Sequence, residues 1–281
     1  MQRLIIQVNC PDQPGIVARV AGLISELGGN ILGEESHREP APAKFFMRLD
    51  IDVSKVAAVD TTLKPRLAEL AQQLDGQAEY WDAAERQRVA ILVTSEESCA
   101  VELLSRQRAG RLHCEIPLVI GSRLDLAEVV AAYKVPFQHV AATDQAAHEQ
   151  EVLQQLEKAQ IDLVVLARYM RILSPQFIAR YPGRIINIHH SFLPAFKGAK
   201  PYQQAWERGV KVIGATAHYA TAELDDGPII AQDVVAVDHW DSPAALTEKG
   251  RSVEQRVLAA AVTAHLEHRI MVHGRRTVVF R

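Results

Sequence analysis

Cysteine is scarce and unpaired in this chain. Cys10, Cys99 and Cys114 are odd in number, far apart and outside any paired motif. That spacing argues against a disulfide framework and a zinc ribbon, and it suits a reducing cytoplasm. Long apolar runs are missing as well. No stretch approaches the roughly 18 residues of a membrane helix, and the run beginning at Leu4 is too short for a signal peptide. Neither charge sign dominates: 31 Lys and Arg stand against 34 Asp and Glu, a formal net charge of -3. Nothing in that balance pulls the chain toward nucleic acid or anionic membrane, so a small molecule is the expected partner. Also lacking are a Gly-x-Gly-x-x-Gly after the first strand of the second half and a Gly-x-x-x-x-Gly-Lys-Ser/Thr anywhere, which removes the support for dinucleotide and P-loop readings. No internal repeat or low-complexity tract occurs.

What is present is enough apolar material for two cores: 281 residues, 48% of them hydrophobic, exceed the usual size of one domain. Leu4, Ile6 and Val8 alternate with Ile5, Gln7 and Asn9 as in a strand. Asp12-Gln13-Pro14-Gly15 offers a helix cap and an early proline, with Asp12 as the cap, and Ile16, Val20, Leu23, Ile24 and Leu27 then share a helical face. Gly28-Gly29 stops that helix, Asn30-Ile31-Leu32 opens a second strand, Pro40 and Pro42 mark a loop, and Phe45, Met47, Leu49 and Ile51 alternate again. A helical period through Leu63, Leu67, Leu70, Ala71 and Leu74 leads to a fourth strand at 77–81. The predicted order is βαββαβ. Polar residues 82–88 read as a linker, which places one domain at 1–83 and another at 84–281.

In the second half, apolar runs at 89–93, 116–120, 136–140 and 163–166 alternate with helical segments and predict a mostly parallel, Rossmann-like sheet covered on both faces. Ser242-Pro243 caps a long helix carrying Leu246, Gly250, Val253, Val257 and Ala261, and 270–280 with Gly274 reads as a hairpin. The run Arg184-Ile185-Ile186 is a buried strand, so Asn187 and His189 should emerge at its C-terminal end, where open α/β sheets bind ligands. An amide, an imidazole and a downstream carboxylate at Asp225 would supply a donor, a proton carrier and an anion without a metal. Each residue alone is ordinarily structural. His190 would point away from His189 if the strand continued, and His218 reads as a supporting residue.

Two resemblances follow from these residues. Cys10-Pro11-Asp12-Gln13-Pro14-Gly15-Ile16-Val17 on a strand-to-helix turn resembles the opening of an ACT domain. It implies a ferredoxin-like regulatory or oligomerisation module, a homo-oligomer with four subunits as the first expectation, and an amino-acid effector, methionine or glycine. Four segments from Val89 to Ala264 resemble the formyltransferase family in order and spacing: 166–174, 187–194, 214–219 and 223–230. The resemblance implies 10-formyltetrahydrofolate as substrate with no separate cofactor or metal, Asn187, His189 and Asp225 as catalytic residues, and Met170, Arg171, Leu173, Leu224 and Asp226 as folate contacts. Within that family the acceptor decides between transfer and hydrolysis. The loop Thr94-Ser95-Glu96-Glu97-Ser98-Cys99 has no glycine and two carboxylates, so it is unsuited to a phosphate-bearing acceptor. That loop, His189-His190, Phe192-Leu193-Pro194-Ala195-Phe196 and the ACT module resemble the formyltetrahydrofolate deformylases. They imply hydrolysis to tetrahydrofolate and formate; the alternative is formyl transfer to an amine.

Overall fold

The computed structural model describes residues 1–141, 144–195 and 201–281, so Phe196, quoted in the motif above, lies outside the described residues. Cα packing divides the chain into two units. The first comprises Met1–Glu85 with Glu267–His273 and Val278–Arg281, and the second comprises Arg86–Leu266 with Gly274–Thr277.

In the first unit, β1 (Arg3–Pro11), α1 (Ile16–Glu26), β2 (Asn30–Pro40), β3 (Ala43–Asp52), α2 (Leu63–Gln73) and β4 (Gln77–Asp82) follow in order. The antiparallel sheet runs β2-β3-β1-β4. Its helix-covered face buries Ile6, Val8, Val20, Leu23, Met47, Leu49, Leu63 and Leu67 in one core. This is the βαββαβ ferredoxin-like order expected.

Two details differ from the linear reading. Asp12 does not cap α1: Gly15 holds that position at φ 84, the left-handed region glycine enters without penalty, and Asp12 pairs with Arg38 of β2 instead. The opposite sheet face is covered too. Gln7 Nε2 donates to the His268 carbonyl at 2.8 Å, Trp81 stacks on His268, and Met271 and Phe280 bury Phe46. Ile5 and Gln7 are therefore buried, which strict alternation did not foresee. A division at 83/84 places this C-terminal segment with the second domain, whereas it packs with the first, because its apolar residues complete that sheet's second face.

The second unit contains β5 (Gln87–Val93), α3 (Ser98–Arg108), β6 (Cys114–Gly121), α4 (Ala127–Ala131), β7 (Phe137–His139), α5 (Gln145–Lys158), β8 (Leu163–Leu166), α6 (Pro175–Arg180), β9 (Ile185–His189), α7 (Pro201–Arg208), β10 (Val212–Tyr219), β11 (Ile229–Ala236) and α8 (Pro243–Leu266). Strands β12 (Ile270–His273) and β13 (Arg276–Val279) form the closing hairpin, whose tip belongs to this unit. The seven-stranded sheet runs β11-β10-β9-β8-β5-β6-β7, parallel from β9 to β7 and antiparallel through β10 and β11. The chain builds outward from β5 through β6 to β7, then returns to β8 on the other side. That reversal is the topological switch point, and the carboxyl ends of β5, β8 and β9 meet there. The long α8 begins where the Ser242 hydroxyl accepts from the Ala245 N–H. No helix of the described residues is long and apolar enough to cross a membrane, and all three cysteines are free and buried.

Candidate active site

Strand β9 brings Asn187 and His189 to one face because side chains alternate, with Ile186 and Ile188 directed to the other. Its antiparallel neighbour β10 sets His218 directly opposite Asn187, and the register shifts in the β10–β11 pairing between Ala217 and His218. The turn after β10 then delivers Asp225 at φ 54. Gly227 fixes that turn: a Cβ there would lie 1.7 Å from the Tyr219 carbonyl oxygen, so the chain can close this tightly only with glycine.

These four side chains converge. His189 Nδ1 lies 3.3 Å from Asp225 Oδ2, and His218 Nε2 lies 3.7 Å from Asp225 Oδ1. Asn187 Nδ2 is 3.2 Å from His218 Nε2, and His218 Nδ1 is 3.0 Å from the Tyr219 carbonyl oxygen. That carbonyl holds a proton on Nδ1. The other ring nitrogen therefore lies between the Asn187 amide, from which it can accept, and the Asp225 carboxylate. Burial would raise the Asp225 carboxyl, but hydrogen bonds and charge from His189 and His218 outweigh it and hold the group well below the carboxylate range. His189 Nε2 is buried with no hydrogen-bond partner among the described residues, so it is the ring atom that can meet a reacting group.

The array opens onto a cleft of about 320 Å³. Met170, Arg171, Leu173 and Leu224 border it, as do Asn187, His189 and Asp225. Met170, Ile172 and Leu224 expose apolar side chains there, a surface suited to a flat heteroaromatic ring. Asp226 is placed differently: it pairs with Arg275 at the hairpin tip and does not border the cleft. His190 departs from the alternating expectation because β9 ends at His189. Its ring lies 5.5 Å from that of His189 and 6.0 Å from Tyr202, and it too borders the cleft. Burial, helped by the charges of Arg168 and His189, pushes His190 down to about 3, so it is neutral.

Several supporting residues were given no role by the sequence reading: Glu149 and Gln145 carry no motif, and Thr94, Ser174 and Thr216 lie in segments quoted for other reasons. Glu149 of α5 accepts from the Ser174 N–H at 2.8 Å and from the Ser174 hydroxyl, while Gln145 donates to the Ile172 carbonyl at 3.2 Å. The Thr94 hydroxyl accepts from the Met170 N–H at 3.1 Å. Together they clamp the loop between β8 and α6 from two sides. Thr216, fully buried, bonds the Ser191 carbonyl, the Leu193 N–H and the Gln232 amide, which fixes the chain after β9. A polar residue on an otherwise apolar period was the available signal for Glu149 and Thr216.

At the end of β5, Glu96 turns back to accept from the Ser98 N–H at 3.0 Å and pairs with Arg251 at 2.9 Å. The start of α3, where an anion could otherwise dock, is occupied by the chain's own carboxylate. Among the described residues no group of three His, Cys, Asp or Glu side chains is arranged to hold a metal ion.

Comparison with known proteins matches residues 87–262 to the formyl transferase family and residues 4–71 to the ACT domain family. The chain is 45% identical over 276 residues to a formyltetrahydrofolate deformylase of Bacillus subtilis, covering 97% of this chain and 92% of that protein. A crystal structure of a formyltetrahydrofolate deformylase from Pseudomonas syringae superposes with a TM-score of 0.96 at 41% identity, covering 100% of this chain and 95% of that one. A glycinamide ribonucleotide transformylase from Symbiobacterium toebii shares 32% identity at a TM-score of 0.67, covering 70% of this chain and 95% of its own.

Proposed function

Since the chain belongs to the formyltetrahydrofolate deformylase family, with an ACT domain joined to a formyl transferase domain, we propose that it hydrolyses 10-formyltetrahydrofolate to tetrahydrofolate and formate at Asn187, His189 and Asp225. The observation that carries the residue assignment is the buried His189–Asp225 pair beside Asn187 in a cleft with an apolar wall.

The folate ring lies against Met170, Ile172 and Leu224, with the formyl group directed at His189 Nε2. Water attacks the formyl carbon. As the carbonyl oxygen gains charge, Asn187 Nδ2 and His189 Nε2 donate to it, and the ionised Asp225 stabilises positive charge on the imidazole while orienting the water and helping to move its proton. The C–N10 bond breaks, N10 takes a proton and formate leaves. The side chains of this chain suffice for those steps, with no separate cofactor.

Water is the favoured acceptor because the loop after β5 is filled by Glu96 and offers nothing to a phosphate. The ACT unit supports regulation by an amino acid, methionine or glycine, in an oligomer of four subunits. Buried free thiols fit a cytoplasmic setting. Incubating the purified protein with 10-formyltetrahydrofolate, with and without amines, and measuring formate and tetrahydrofolate tests the reaction. Release of both products at equal rates without any amine is expected; no formate release would end the proposal.

A further inference from the structure

The wall of the cleft beyond His190 contains a charged cluster that the steps above do not use. Arg168 follows β8 and borders the cleft with its side chain 17% exposed. Its Nη1 lies 3.4 Å from a carboxylate oxygen of Glu254, a residue of α8 that is 1% exposed. Tyr202 donates its hydroxyl to the same carboxylate. Tyr202 in turn touches the His190 ring, and His190 touches His189, so Glu254 lies behind the reacting side of the cleft. The Arg168 Nε has no hydrogen-bond partner among the described residues. The backbone of Arg168 sits at φ 59, a left-handed conformation that suits glycine and strains other residues.

Two costs therefore fall on one residue: a strained backbone and a buried guanidinium only partly satisfied. Such a combination persists where function requires the side chain. Hydrolysis and transfer differ only in whether water or an amine meets the formyl carbon. A buried carboxylate behind the cleft wall can receive a primary ammonium, and here the guanidinium of the cleft-bordering Arg168 already occupies it.

We infer that Arg168 reserves this side of the cleft for water. Its guanidinium, held by Glu254, fills the place of a primary amine acceptor and covers the carboxylate that would bind one. Arg168 is thus a specificity residue for the hydrolysis proposed above, on which this inference rests. With the side chain removed, a small primary amine can enter, pair with Glu254 as its ammonium, lose a proton and attack the formyl carbon. The ammonium's proton passes by way of Glu254 to solvent, the new N–C bond forms as the C–N10 bond breaks, a second proton passes from the attacking nitrogen to N10, and the products are a formamide and tetrahydrofolate.

The test uses the full-length Arg168→Gly variant, whose backbone suits φ 59, with 10-formyltetrahydrofolate and glycinamide. Formate and N-formylglycinamide are quantified by mass spectrometry against a protein-free control. The wild type should release formate alone at every glycinamide concentration. Arg168→Gly should form N-formylglycinamide in proportion to added amine, at least about tenfold above the wild type. Arg168→Lys keeps a cation on Glu254 and should give formate alone. The double variant Arg168→Gly with Glu254→Gln should lose the formamide. Methylguanidinium, which restores the missing group, should suppress formamide in Arg168→Gly without suppressing formate.

If Arg168→Gly does not fold, Arg168→Asn is small, tolerates positive φ and gives the same readout. A folded variant of either kind that makes no formamide overturns the inference. So does a wild type that formylates glycinamide equally well, or a double variant that keeps the formamide. Wild-type formate release tests the hydrolysis itself, so the two failures are read separately.

Discussion

Replacing Asp225 with asparagine removes one charge and almost no volume, which isolates the electrostatic part of the site. An ionised carboxylate and an imidazolium 3.3 Å apart interact by about 5 kcal/mol at an effective dielectric of about 20. At about 1.4 kcal/mol per decade that is nearly four decades of rate. Asparagine can still accept from Nδ1, and a neutral hydrogen bond restores about 1 kcal/mol. Asp225→Asn should therefore lose about a thousandfold in kcat. KM should change by only a few fold, because the apolar wall at Met170, Ile172 and Leu224 is untouched. The assay is steady-state formate release, with thermal denaturation and folate binding showing that the fold and the cleft persist. A variant that folds, binds folate and retains kcat within about tenfold of the wild type would refute the claim that Asp225 stabilises charge on His189.

Glu149→Gln keeps the volume but weakens both bonds to Ser174, so the 170–174 loop should loosen; KM is expected to rise several fold more than kcat falls, and equal effects on both would disprove a purely positioning role. Gly227→Ala drives a Cβ into the Tyr219 carbonyl, shifting the turn that carries Asp225, and should cost at least about a hundredfold in kcat; near-normal turnover would show that the turn relaxes. Phe280→Ala opens the face of the first sheet built from Phe46 and Met271 and should destabilise the protein by about 3 kcal/mol in urea unfolding, while a shift below about 0.5 kcal/mol would show that this segment adds little. The Asp225 carboxyl is held below its ordinary value in the fold, so its stabilising contribution is complete above about pH 4 and is lost as pH falls further through the folded value. Urea midpoints measured across that range should show this acid loss in the wild type and a shallower one in Asp225→Asn.

Local patterns carried much of this protein. Period-2 and period-3.6 spacing is set by backbone geometry, so the βαββαβ unit and the alternating second half were legible from residues such as Leu4, Ile6, Val8 and the run at 163–166. Asn187, His189 and Asp225 were legible because they lie in ordered motifs. What local spacing cannot express is contact between distant segments. Asp12 met Arg38 instead of capping its own helix, Asp226 met Arg275 instead of the cleft, and the C-terminal segment covered Ile5 and Gln7 some 260 residues away in sequence. Glu149, Thr216 and the Arg168–Glu254 pair act through partners that the chain brings together only when the sheet forms. The sequence by itself determined the elements and placed Asn187 and His189 at the end of β9, since those depend on near neighbours. Only the tertiary structure decided which polar groups are buried together, because burial and charge pairing belong to the packed arrangement and not to any single stretch of chain.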